Sequence, residues 1–192
     1  GDLSSVAYLR EDVTYAAHVL PPDSRVQVIG SGGGRDLLAA LVFRQPEVQG
    51  VEVNGDIVDL VHDELGDFTG HLDAYPGVSV VADEARSFVA RQTQPYDIIQ
   101  ISLIDTWAAS SAGAFVLTEH TLYTVEAWES FLAHLTPRGV LSVSRWYFPD
   151  HPYETYRLIA LASNALRSTG TLEPRSHLML LTNSDPQADP DA

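Results

Sequence analysis

The chain has 192 residues, enough for one domain with a sizeable core and thin for two. Its formal net charge of −15 repels phosphates rather than neutralising them, which excludes nucleic acid as an expected partner. All 11 basic residues are Arg, which excludes Schiff-base chemistry and a lysine-dependent phosphate loop, and the lack of Cys excludes disulfides, zinc ribbons and thiol nucleophiles.

In chain order, Val6, Leu9, Val13, Ala16, Ala17 and Leu20 recur at helical spacing, and Pro21-Pro22 ends that segment. "RVQVIG" then reads as a buried strand, and Asp36 to Phe43 as a helix with Leu37, Leu38, Leu41 and Val42 inward. "VQGVEV" (48–53) is a second strand, and the helix after it carries Ile57, Leu60, Val61 and Leu65 on one face. "VSVVAD" (78–83) is a third strand, followed by a short helix around Phe88 and Val89, and "YDIIQIS" (96–102) is a fourth. A long helix is expected from about Thr121 to Leu135, then a fifth strand at "GVLSVSRW" (139–146), a helix over 153–168 and a sixth strand at "SHLMLLT" (176–182). Strands alternating with helices predict an α/β domain over 1–183, Rossmann-like, with a mostly parallel sheet and helices on both faces. Residues 184–192, acidic and broken by proline, are expected to be a disordered tail.

In such a sheet a ligand sits beyond the carboxyl ends of the strands, so the turn after the first strand is the place to look. The spacing there is Gly30-x-Gly32-x-Gly34, followed by Arg35. A dinucleotide fingerprint needs its third glycine where Arg35 stands, and a bulky side chain there obstructs a pyrophosphate. The shorter spacing suits a ligand without one, such as an adenosyl sulfonium. Glu52, ending the second strand, can accept hydrogen bonds from both ribose hydroxyls, and Asp83, ending the third, can accept from an adenine amino group. Either acid alone is equally well explained as a solvated strand terminus; together with the glycines they point to a nucleoside.

The succession "VIGSGGGRDLL", "VEVNGDIVDL", "VADEARSFV", "YDIIQIS" and "LTEHTLYTVEAWESFLAHLTPRGVLSV" resembles the class I S-adenosylmethionine-dependent methyltransferase fold, and within it the spermidine synthase branch. The resemblance covers about residues 24–147. It implies that Gly30, Gly32 and Gly34 line the methionine part of the cofactor, that Glu52 holds the ribose, and that Asp83, Glu84 and Ala85 border the adenine. Spermidine synthases carry "GGGDGG" in the turn, where the Asp grips the aminopropyl amine of decarboxylated S-adenosylmethionine; Gly33 stands in its place. Their fourth strand reads "YDVIIxDxxDP". Ser102 replaces the first of its acids, which serves to deprotonate the attacking amine, whereas Asp105 keeps the second and Thr106 replaces the Pro. The branch's N-terminal hairpin domain has no counterpart in the twenty residues before the first strand.

Losing two acids removes groups that attract a substrate amine and repel an α-carboxylate. Arg35, at a helix N-terminus, adds a position favourable to anions, although it reads equally well as a surface residue paired with a neighbouring acid. Intact S-adenosylmethionine is therefore the expected cofactor and methyl transfer the expected reaction, with a small-molecule acceptor, an amine among the candidates. Aminopropyl transfer from decarboxylated S-adenosylmethionine, and a non-catalytic nucleoside-binding domain, remain the alternatives. Asp105 is the candidate base or amine anchor. Tyr123 is a candidate catalytic residue, and with Trp107 and Trp146 it can line an apolar or cationic pocket, although packing roles explain all three aromatics as well. "AASSAGA" is small enough to act as a lid. The histidines, including His120 beside Glu119, show no metal-ligand spacing, and no metal is expected. No stretch is apolar for long enough to span a bilayer and no signal peptide is visible, so a cytoplasmic segment is expected. The seventh strand that usually closes the class I fold has no candidate sequence. A fragment of a larger, membrane-embedded parent, a homodimer whose partner fills the place, or a rearranged sheet would account for that.

Overall fold

The computed structural model describes residues 3–20, 23–104, 121–147, 150 and 152–183. Five strands, β1 (Arg25–Ile29), β2 (Glu47–Glu52), β3 (Val78–Ala82), β4 (Tyr96–Ser102) and β5 (Leu135–Ser144), form one parallel sheet in the order β3-β2-β1-β4-β5. The order reverses between β1 and β4, which are in register from Val26 opposite Ile98 to Ile29 opposite Ile101. Covered on both faces, these central strands bury Val26, Val28, Ile29, Ile98, Ile99 and Ile101 almost completely. That is why they read as continuous apolar runs rather than alternating ones.

Helices pack both faces. On one, α1 (Arg35–Val42) sets Leu37 and Ala40 against Val26, Val28, Val48 and Ile98. On the other, α4 (Ala85–Ala90), α5 (Val125–Ala133) and α6 (Tyr153–Ser168) bring Phe88, Val89, Trp128, Phe131 and Ala165 to Ile29, Ile99 and Ile101. Thr124 starts α5 by accepting from the Ala127 amide at 3.1 Å, so the expected single helix from Thr121 is interrupted at Tyr123 and Thr124. Leu135 already belongs to β5.

Three expectations are corrected. The opening segment forms two 3₁₀ helices, Ser4–Glu11 and Val13–Val19, rather than one α-helix, because Asp12 is extended and caps the second by accepting from the Thr14 amide. Leu9 and Ala17 are buried as expected, whereas Leu20 is exposed. After β2 the chain runs through α2 (Gly55–Asp59), a π-helical turn at Leu60–Glu64 and α3 (Gly66–Thr69). The wider turn breaks the 3.6-residue stripe, so Val61 is buried while Leu60 and Leu65 are exposed. Finally, 176–182 is no strand. A 3₁₀ turn covers Pro174–His177, and Met179, Leu180 and Leu181 are exposed beyond it. An apolar run becomes a strand only where a neighbour takes its backbone groups, and β5 has no second partner strand among the described residues. No helix among the described residues is long and apolar enough to cross a membrane.

Candidate functional site

A cavity of about 460 Å³ opens at the carboxyl ends of the strands, where the sheet order reverses. The turn after β1 forms its floor. The amides of Gly30 and Ser31 both donate to the Val51 carbonyl, at 2.8 and 3.2 Å, and the Gly34 amide donates to Ser31 at 2.8 Å. Glu52, buried at the end of β2, accepts from the Gly32 amide at 3.0 Å through one oxygen and from the Asn54 amide at 3.1 Å through the other. Four of the turn's N–H groups are thus consumed internally. A backbone cradle for a pyrophosphate needs such groups free; this turn offers close approach instead. Each Glu52 oxygen keeps a second lone-pair direction for a further donor.

Gly34 leads into α1 with φ of 87°, and a Cβ there would fall 2.2 Å from Leu72 Cδ1, so this glycine serves the packing of α1 and does not line the cavity. Gly33 is the opposite case: a Cβ there meets nothing within 4 Å.

Asp83 and Glu84 reach the cavity from the end of β3. The Asp83 amide donates to the Glu52 carbonyl at 2.9 Å, and its carboxylate pairs with Arg91. Glu84 caps α4, accepting from the amides of Arg86 at 3.0 Å and Ser87 at 2.8 Å. Partial burial works against its charge, but the donors from Ser87 and Arg86 outweigh it and hold the carboxyl below the usual range. Ser102 ends β4 at the cavity, its hydroxyl accepting from Gln100, and Leu103 follows with φ of 45°, a conformation rare for a branched side chain.

Tyr123 forms part of the wall, with the Arg145 guanidinium 5.3 Å from its ring centre. Arg35 is at the rim, but its guanidinium donates to Asp12 at 2.7 Å and its side chain is 57% exposed. It is the surface-paired arginine that the sequence left open. Gly30, Gly32, Arg35, Glu52, Asp83, Glu84, Ser102 and Tyr123 therefore share one cavity. Trp146 is half exposed and does not line it. Asp105, Trp107, His120 and the small-residue stretch lie outside the described residues.

Two further cavity residues escaped the sequence reading. Tyr15 is carried by the second 3₁₀ helix, which is tied to the sheet where Gln100 Nε2 donates to the Thr14 carbonyl at 3.1 Å. Its hydroxyl donates to Asp36 Oδ1 at 2.9 Å, and both residues line the cavity. Asp36, in the first turn of a helix just after the glycines, looks like an ordinary dipole-facing acid. Nothing in the pattern says that the opening segment folds back over it.

The cavity lies at the switch point of a class I S-adenosylmethionine-dependent methyltransferase-like fold, a fold this chain shares with spermidine synthases. Over 132 residues the chain is 29% identical to polyamine aminopropyltransferase 2 of Pseudomonas aeruginosa, covering 66% of this chain and 34% of that one. Spermidine synthase from Thermotoga maritima superposes with a TM-score of 0.56 at 18% identity, over 84% of this chain and 50% of that one. A spermidine synthase in complex with the transition state analogue AdoDATO gives 0.57 at 18% identity over 84% and 49%. Precorrin-6y C5,15-methyltransferase from Geobacter metallireducens gives 0.50 at 17% identity over 77% and 67%. The chain spans about a third of the curated relative and half of these spermidine synthases. No family model matches.

Proposed function

We propose that this chain is the cofactor-binding core of an S-adenosylmethionine-dependent transferase that acts on a small-molecule acceptor. The observation that carries the reading is the convergence of the glycine turn, Glu52 and the end of β3 on one cavity at the switch point, with four of the turn's amides already spent. In this reading the free lone pairs of Glu52 take the ribose hydroxyls, and the chain at Asp83, Glu84 and Ala85 borders the adenine. Gly30 and Gly32 let the backbone approach the methionine part. Ser102 contributes to the cofactor side, and Tyr123 faces the acceptor, with Asp105 as base or amine anchor. A structural neighbour, the spermidine synthase solved in complex with the transition state analogue AdoDATO, supports the choice of cofactor.

Methyl transfer is favoured over aminopropyl transfer because Gly33 and Ser102 stand where the aminopropyltransferase branch carries acids. A sulfonium is already activated, so transferring its methyl group needs chiefly approach and alignment. The acceptor class, an amine among the candidates, rests on the resemblance to polyamine enzymes.

Calorimetric titration with S-adenosylmethionine, its decarboxylated form and S-adenosylhomocysteine tests the reading. Binding of the carboxylated pair, weakened tenfold or more by Glu52→Ala, is the expected result. No binding of any of the three removes the proposal, and preference for the decarboxylated ligand turns it to aminopropyl transfer.

Gly33→Asp supplies a second test. The site has room for a side chain, so the variant is expected to keep the parent's melting temperature within about 2 °C. The new carboxylate is expected to shift preference toward the decarboxylated ligand by about tenfold, through attraction to its amine and repulsion of an α-carboxylate. An unchanged ratio would place Gly33 away from the cofactor's tail.

A further inference from the structure

Asp36 is 7% exposed and lines the cavity, yet only half of its carboxylate is accounted for. Oδ1 accepts from the Tyr15 hydroxyl, whereas Oδ2 is buried with no hydrogen-bond partner among the described residues. A buried carboxylate oxygen without a donor is costly unless a ligand supplies one. Nothing in the packing of α1 demands an acid here. The first turn of the helix is already favourable to negative charge, but that alone would not explain burying it.

We propose that Asp36, held in place by Tyr15, is the anchor for a primary ammonium group at the tail of the bound nucleoside. The inference rests on the adenosyl reading above and adds to it a residue and a charge. An ammonium brings three donors and a positive charge to an oxygen that has the Ser102 hydroxyl and the Arg35 charge in its surroundings but no hydrogen bond of its own. Tyr15 is suited to positioning. Burial, with the carboxylate beside it, keeps its phenol protonated far above the usual range, so it acts as donor only.

The charged groups around Asp36 are few. Arg35 and Asp12 pair with each other at the surface, and Tyr15 stays neutral. Burial raises the Asp36 pKa; the hydroxyls of Ser102 and Tyr15 and the charge of Arg35 offset this in part, and Asp12 adds to the rise. An ammonium arriving at Oδ2 favours the ionised form and expels the proton. Binding should therefore release protons and strengthen as pH rises through the Asp36 titration.

Three ligands separate the ammonium from the rest. S-adenosylhomocysteine and S-adenosyl-3-thiopropylamine both carry it, and methylthioadenosine has the nucleoside and sulfur without it. Asp36→Asn should weaken the first two by about 10- to 100-fold and leave methylthioadenosine within twofold. It should also abolish proton release, measured as the dependence of binding heat on buffer ionisation. Tyr15→Phe should weaken the same two ligands by a smaller factor and move the pH dependence upward, which a merely structural tyrosine would not do. Equal weakening of all three ligands, or of none, overturns the assignment. If methylthioadenosine binds the parent as tightly as the amines do, Asp36 has no ammonium partner while the adenosyl reading survives. If the parent binds none of them, both fall together.

Discussion

Replacing Gly34 by Ala is expected to destabilise the fold by about 2–5 kcal/mol, whereas Gly33→Ala, one residue earlier, leaves it level or slightly more stable. The two glycines look alike in sequence. Gly34, however, holds φ at 87°, a left-handed conformation that costs a residue with a Cβ about 1–2 kcal/mol. Its Cβ would also fall 2.2 Å from Leu72 Cδ1, and Leu72 is itself buried among Val26, Val28 and Leu37, so it has little room to yield. Overpacking of that kind typically costs about 1–3 kcal/mol more. At Gly33 neither term exists. Its φ lies outside the left-handed region and the space is open, so Ala there loses nothing native and restricts the unfolded chain, a gain of about 0.4–1 kcal/mol. Thermal melts check the pair: a fall of roughly 5–15 °C for Gly34→Ala, against no fall for Gly33→Ala. Equal shifts would mean that the turn is not built as described. Because Gly34 fixes where α1 starts, and Asp36 lies two residues further on, the same substitution should weaken adenosyl ligands as well.

That contrast shows what was and was not legible beforehand. The glycine turn, Glu52 and Asp83 were readable because each marks the carboxyl end of a parallel strand, and parallel strands advertise themselves as short apolar runs. β4 (Tyr96–Ser102) and α6 (Tyr153–Ser168) have the expected bounds for the same reason: β-branched residues between polar boundaries in one, a long 3.6-residue period in the other. Where the backbone departs from a regular period, the reading failed. The π-helical turn after α2 rotated Leu60 and Leu65 outward, and two 3₁₀ helices imitated one amphipathic α-helix. The stretch "SHLMLLT" has a strand's composition but no partner strand, and composition cannot report a missing neighbour.

Asp36 and Tyr15 were missed for a related reason. Their significance depends on a contact across 21 positions, which no local pattern contains. Gln100 belongs to the same category: nothing in the strand pattern singles out its buried amide. It proves to be the tie that holds the Thr14 backbone, and with it Tyr15, over the carboxyl end of the sheet. The candidate site thus has two parts of different legibility, a strand-end half written in the glycines and acids and a half created where the opening segment packs over the sheet.

The same opening segment should make the fold acid-sensitive through His18. The ring is 3% exposed, stacks on Phe43 with centroids 5.4 Å apart, and has no hydrogen-bond partner for either nitrogen among the described residues. Burial without a partner favours the neutral imidazole and lowers its pKa from 6.5 to about 4. The folded value lies below the unfolded one, so protons bind preferentially to the unfolded chain as the medium is acidified. The stability tied to neutral His18 is complete above pH 6.5 and is lost progressively as pH falls toward 4, by roughly 3 kcal/mol in all. Asp36 works in the opposite sense. Its raised pKa makes its own contribution decline as pH rises, so His18 must be isolated by substitution rather than read from the parent's curve. His18→Phe keeps a ring against Phe43 while removing the titrating group and its two unpaired nitrogens. Urea unfolding at intervals from pH 7 to pH 4 should show the variant gaining on the parent by roughly 3 kcal/mol across that range, with the gain beginning near pH 6.5. Curves that stay parallel would mean that His18 is solvated in the native state, and that the second 3₁₀ helix does not pack over α1 in solution.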